Sequence, residues 1–138
     1  MRGYSLIELV IALAISAILG AFALPVFHQQ TTSLLLQRET IRWLLYLQQV
    51  QAKSKSQNIA TEANLAAVIN KSGNAGVDTE STYNAASPLI FDGESATANP
   101  GHIKLKSRDR EVKVIISSKG RIRTCLSQGR SLPGLATC

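Results

Sequence analysis

Nineteen consecutive uncharged residues, Leu9–Phe27, constrain this chain more than any other feature. At 1.5 Å per residue, a helix of that length spans about 28 Å, close to the roughly 30 Å of a bilayer's hydrocarbon. A cleaved secretory signal has a shorter apolar core, then a small-residue cleavage site and a polar mature start. Here the run continues through Phe27, broken only by Pro25. The chain is also too small to bury a helix that is apolar all round. Arg2 ahead of the run sets the N-terminus on the cytoplasmic side, which places the rest outside the inner membrane. Glu8 is the awkward residue. A carboxylate at the edge of an apolar span is costly, functional by default and in need of a partner, and its own helix offers none.

The helical pattern continues beyond the apolar run. Leu36, Thr40, Trp43, Leu47 and Val50 recur at helical spacing, flanked by Ile41 and Leu44, with Gln, Arg, Glu and Lys between them. One bent helix of about 50 residues follows, 75–80 Å long at that rise, with Trp43 as a core residue. Residues 59–70 are apolar enough for a strand or two. Residues 71–101 are a Gly/Ser/Asn/Ala-rich connection interrupted by a short strand at "PLIFD". The last third alternates plainly. "HIKLKS" sets Ile103 and Leu105 on one face and Lys104 and Lys106 on the other. "EVKVIIS" turns Val112, Val114 and Ile116 inward, Ser118-Lys119-Gly120 reads as a hairpin turn, and "RIRTCL" turns Ile122, Thr124 and Leu126 inward. These are half-buried antiparallel strands.

Charge is unevenly placed. Residues 102–138 hold nine basic and two acidic residues, whereas residues 1–101 hold six basic and seven acidic. The basic excess therefore lies wholly in the C-terminal third and points to a polyanion: nucleic acid, phospholipid or lipopolysaccharide. Cys125 and Cys138 allow a single intramolecular pairing, a disulfide by default outside the cytoplasm. Two cysteines cannot close a zinc site, and neither His28 nor His102 stands at ligand spacing to them. The acids show no metal spacing and no catalytic set appears. Neither enzyme activity, a metal nor a cofactor is expected.

Gly3-Tyr4-Ser5-Leu6-Ile7-Glu8, the apolar run and Pro25 resemble the class III signal of type IV pilins and type II secretion pseudopilins. The resemblance implies a leader of residues 1–3. A prepilin peptidase would cut after Gly3 and methylate the new N-terminus at Tyr4. That family usually has Phe then Thr where this chain has Tyr4 and Ser5, changes conservative in shape. The resemblance also supplies Glu8 with a partner, the N-terminal amine of a neighbouring subunit; a buried carboxylate and ammonium are tolerable only together, so the pair can set register. The implied fold is α+β, the type IV pilin fold. A long N-terminal helix, with a membrane and assembly half at 4–28 and an amphipathic half at 29–56, packs on a β-rich domain at 57–138 closed by a C-terminal disulfide loop.

On strand β-geometry, Arg121 and Arg123 point the same way, about 6.5–7 Å apart. Two guanidinium forks at that separation can each grip a backbone phosphate. Lys119 joins them across the turn, Gly120 lets the chain turn tightly, and the disulfide loop is expected to return Arg130 to the same end. A pilin-like N-terminus, a β-rich domain and GRxR followed by two cysteines resemble minor pilins of the GspH/FimT family. That resemblance implies binding to the DNA backbone through Arg121, Arg123, Lys119, Gly120 and Arg130, with Lys104 and Lys106 contributing, in the service of natural transformation. The tail contains no aromatic residue, so base stacking is not expected. The remaining implied partners are other pilins, the prepilin peptidase and the inner membrane before assembly.

Overall fold

The computed structural model describes residues 5–138; Gly3 and Tyr4, the expected cleavage and methylation positions, lie outside the described residues. Helix α1 (Leu6–Gln57) runs for 52 residues and carries Pro25 in its interior. Proline there removes one backbone donor, and the helix is nonetheless continuous. Glu8 sits in the first turn of α1, where a carboxylate meets the positive end of the helix dipole. The chain divides into two compact units, one ending at Ser33 and one at Leu34–Cys138.

In the first unit the apolar side chains are exposed all round the helix, with Leu6 at 79% and Phe22 at 74%. By length and composition this is a helix able to cross a membrane.

The second unit holds the core. Its part of α1 buries Leu36, Thr40, Trp43 and Leu47, the stripe expected from spacing, and half-buries Val50. Ile41 is exposed. The helix also buries Glu39 and Ser54. After α1 come β1 (Thr61–Glu62), α2 (Leu65–Asn74), β2 (Asp78–Ser81), β3 (Ile90–Phe91), β4 (Gly101–Ser107), β5 (Arg110–Ile116) and β6 (Ile122–Gln128). Strands β2-β4-β5-β6 form one antiparallel sheet in that order, and β1 pairs with β3 in a second. Ile103, Leu105, Val112, Val114, Ile116 and Leu126 are the sheet's buried face, in one cluster with Leu36, Trp43 and Leu47 of α1. The architecture is α+β, consistent with the type IV pilin fold.

Two local expectations need correction. Half of residues 59–70, from Leu65 onward, is helix, with only two residues of strand before it. Asn64 caps α2 by accepting from the Ala67 amide at 3.4 Å. Leu65, Val68, Ile69 and Ser72 then fall on one helical face, with Val68 and Ser72 buried. Residues 71–101 are likewise more than a connection, since β2 lies within them. Its alternation is written in Asp78, Thr79, Glu80 and Ser81, which carry no apolar signal.

Several buried polar groups in this unit are paired, whereas Thr61 Oγ1, Thr79 Oγ1 and Arg110 Nε are buried without a partner. The Trp43 indole donates to Ser72 Oγ at 3.1 Å, and Ser72 donates to Glu39 Oε2 at 3.1 Å. Arg42 closes on Glu39 at 3.3 Å. Buried Ser54 lies within hydrogen-bond distance of the carbonyls of Ile59 (2.6 Å) and Phe91 (2.7 Å), holding the end of α1 to β3. Each pairing removes a desolvation penalty of about 1–3 kcal/mol that an unmet buried group would carry.

Candidate nucleic-acid interface

The sheet's register decides which basic residues share a surface. Ile103, Leu105, Val112, Val114 and Ile116 take the buried face, so the alternate residues take the other. Across that outer face Glu80 stands opposite Lys104, Lys104 opposite Lys113, and Lys113 opposite Cys125. One step along, His102 stands opposite Ile115 and Ile115 opposite Arg123. Arg121 follows by parity, since the Ser117 amide donates to its carbonyl at 3.0 Å, continuing the β5–β6 ladder. Lys104, Lys106, Arg121 and Arg123 therefore share one face. Lys113 belongs with them and was missed as a site residue, although the alternation of "EVKVIIS" places it there.

The environments differ along that face. Lys106 is opposite Asp78 on one side and Glu111 on the other, and Lys104 is opposite Glu80. Glu111 also lies 4.0 Å from Lys113. A hydrogen bond from Ser127 at 2.6 Å, together with Lys104, Lys113 and Lys106, holds the Glu111 carboxyl below the usual carboxylate range. Lysine charge in the middle of the sheet is thus partly matched by acids. Arg121 and Arg123 are exposed and, among the described residues, make no ion pair.

Gly120 fixes where the arginines stand. It is buried and has φ +68°, a left-handed conformation that glycine adopts without penalty. Its carbonyl accepts from Gln51 Nε2 of α1 at 2.6 Å, and its amide donates to Ser117 at 2.9 Å. A Cβ there would stand 2.7 Å from the Ala96 carbonyl oxygen. Gly120 is therefore a seat for the turn rather than a ligand contact, and Gln51 is a support that its distance in sequence hid. Lys119 is exposed beside it in the turn.

Arg130 is not at this end. β6 runs away from the Ser117–Gly120 turn, and Gly129 packs on Asp109 and Arg110 at the opposite end of the sheet. Seven strand residues separate the ends by about 20 Å. Cys125 and Cys138 are bonded, yet the closed loop carries Arg130 past the far end of the strand instead of folding it back. The tail lies along β6, where the Leu126 amide donates to Ala136 at 2.8 Å and the Cys138 amide to Leu126 at 2.9 Å. Arg130 is exposed there, with Arg108 in the nearby β4–β5 turn.

A separate concavity of about 630 Å³ lies between the start of α2 and residues 83–89, with Tyr83 among its lining residues. The Tyr83 hydroxyl donates to Asn99 at 2.9 Å, and burial pushes its pKa up to about 12. Among the described residues no group of three or more His, Cys, Asp or Glu side chains gathers as a metal site.

With this geometry in place, the comparison with known families is informative at the other end of the chain. The prokaryotic N-terminal methylation motif matches residues 1–24. No curated protein and no solved structure matches the chain. The motif, together with the long apolar helix and the antiparallel sheets, supports a type IV pilin-like protein. A motif of this kind implies processing by prepilin peptidase and assembly with other pilins, and the apolar helix is compatible with a single-pass inner-membrane anchor. Motif and fold point to a structural protein.

Proposed function

We propose that the chain is a minor type IV pilin of the GspH/FimT kind that binds extracellular double-stranded DNA, without sequence preference, for uptake in natural transformation. Prepilin peptidase frees Tyr4, and Glu8 meets the N-terminal amine of a neighbouring subunit as the helix leaves the inner membrane for the pilus. The domain then stands at the cell surface, where its basic face meets phosphates. The observation that carries this reading is the pair Arg121 and Arg123, exposed on one face, without an ion pair and seated by a buried Gly120. Lys119 extends the pair, while Lys104, Lys106 and Lys113 add a weaker field beside their acids. Arg130 belongs to a second basic point at the far end, reached only by a ligand long enough to lie along the sheet.

Electrophoretic shift of linear duplex DNA by a fragment of residues 29–138 tests the assignment. Arg121→Gln with Arg123→Gln should weaken binding at least tenfold and reduce the log–log salt slope by roughly 0.9 for each phosphate no longer neutralised. Lys104→Gln with Lys106→Gln should weaken it less. Unchanged affinity in the double arginine variant would sink the assignment. A second reading, a purely structural minor pilin or type II secretion pseudopilin that primes assembly, rests on the same methylation motif. It requires Glu8 and the fold but no DNA binding, so the same shift experiment separates the two.

A further inference from the structure

Two contacts fix which end of the second unit receives the chain. Gln37 of α1 donates to the Pro133 carbonyl at 3.4 Å, in the loop that follows Arg130. Gln51 donates to the Gly120 carbonyl at 2.6 Å, in the turn before β6. The two glutamines are fourteen residues apart, about 21 Å of helix, and β6 is about 20 Å long. α1 therefore runs past β6 in the opposite direction. The chain enters this unit, at Leu34, at the end that carries Arg130 and not at the end that carries Arg121 and Arg123.

Separate elements each bring an exposed base to that entry end. Arg38 follows Gln37 on α1. Arg130 follows Gly129, where a Cβ would stand 2.6 Å from the Asp109 carbonyl oxygen, so the β4–β5 turn with Arg108 lies against it. The last turn of α2 joins them, because the 3.1 Å bond from Ser72 to Glu39 sets Lys71 level with the start of the buried stripe. Arg38, Lys71, Arg108 and Arg130 are exposed, and none makes an ion pair among the described residues. Exposed acids near them are Asp109 and Asp78, and Asp78 stands opposite Lys106. Leu34 and Leu35 are exposed as well, about one turn from Arg38. Bases beside exposed leucines suit a bilayer surface, where leucine enters the acyl boundary and the bases stay with the phosphates. Duplex DNA would match the bases alone and leave the leucines in water.

We propose that this end of the second unit is a seat for an anionic lipid surface. Arg38, Lys71, Arg108 and Arg130 meet headgroup phosphates, and Leu34 and Leu35 enter the interface. Leu34 stands seven residues after Phe27, the end of the uncharged run, so a run held in the bilayer keeps the seat close to headgroups. Charges within roughly 10 Å of the surface feel its potential at 0.1 M salt. The contact belongs to the stage before assembly, since it ends when the helix leaves the membrane. It rests on the apolar run residing in a bilayer and not on DNA binding. It also gives the separation of Arg130 from Arg121 and Arg123 a use: one basic end meets lipid and leaves the other free.

Trypsin protection of the full chain in vesicles tests it, because Arg130 is itself a cleavage site. The chain is reconstituted with residues 34–138 outside, in phosphatidylcholine alone or with phosphatidylglycerol added. Cleavage after Arg130, read by mass spectrometry once the Cys125–Cys138 bond is reduced, should slow about fivefold or more in the anionic vesicles and recover at high salt. Cleavage after Lys119 or Arg121, at the other end, should not change. Arg38→Gln with Lys71→Gln and Arg108→Gln should restore cleavage after Arg130 in the anionic vesicles. Arg121→Gln with Arg123→Gln should leave the protection intact, which separates this seat from the DNA reading. Equal cleavage after Arg130 in both vesicles overturns the proposal, and so does equal slowing at both ends, which is general shielding by a charged surface. Protection of Arg130 by duplex DNA in neutral vesicles, with none from phosphatidylglycerol, assigns this end to DNA instead. Flotation with neutral vesicles reads the apolar run by itself, and a chain that does not float overturns the anchor and the seat with it.

Discussion

One helix, α1, is built for two solvents. Up to Ser33 its apolar residues face every direction and are exposed, Leu13 and Leu19 at 62% and 65%. From Leu34 onward one stripe is buried, with Leu36, Trp43 and Leu47 fully so, while Leu34, Ile41 and Leu45 stay exposed off it. The backbone is the same; only the pattern of side chains changes. An all-round apolar surface is at rest only in lipid or among other apolar helices. A stripe is satisfied by one sheet. The chain thus carries a segment apolar enough to cross a membrane and its domain's backbone support on a single element.

The contrast can be broken from either side, and the larger effect lies in the domain. Trp43→Ala deletes the largest fully buried side chain and the donor to Ser72, leaving the Ser72–Glu39 pair without its third member. A loss of about 3–5 kcal/mol is expected, read as a lower urea midpoint in residues 29–138. Membrane retention of the full chain should not change. A stability loss below about 1 kcal/mol would mean that the stripe is not the main support of the sheet.

Next in size is the reciprocal change. Leu19→Arg places a charge in the middle of the apolar unit, at a cost of about 2.5–3.5 kcal/mol for a charge at the centre of a spanning helix. Fractionation should show the full chain leaving the membrane pellet. The urea midpoint of residues 29–138 cannot respond, because that fragment lacks position 19. Retention equal to wild type would show that this segment is not the anchor.

The same two patterns explain what was legible in the sequence. Nineteen uncharged residues, the stripe through Trp43 and the alternation from Ile103 to Leu126 each repeat a period that burial dictates, and the structure follows them. β2 has no such period to read, because its half-buried positions are Thr79 and Ser81. Helix α2 was hidden by its shortness and a cap at Asn64 that depends on one hydrogen bond. At the basic face, strand parity gave the shared side of Arg121 and Arg123 correctly, since parity is local. Arg130 was misplaced because a disulfide fixes only two points, and Cys125 and Cys138 leave the path between them free. Gln51, 69 residues from Gly120, is a tertiary contact with no local signature.

The smallest expected effect sharpens the contrast within the outer face, between matched lysines and unmatched arginines. Glu111 is held below its ordinary value of 4.5 chiefly by the hydrogen bond from Ser127, then by Lys104, Lys113 and Lys106, with partial burial opposing them. A carboxyl depressed in the fold stabilises it above the unfolded value, and that contribution is lost as pH falls through the folded value. Ser127→Ala should raise the Glu111 titration midpoint toward 4.5, seen by carboxyl-carbon NMR, and shrink the acid-side loss of stability between pH 5 and 3 by a few tenths of a kcal/mol up to about 1 kcal/mol. The same variant should leave DNA affinity at neutral pH unchanged, because Glu111 stays ionised and Arg121 and Arg123 have no ion pair to lose. An affinity that moved with Ser127 would place the binding charge among the lysines at the centre of the sheet instead of at the β6 edge.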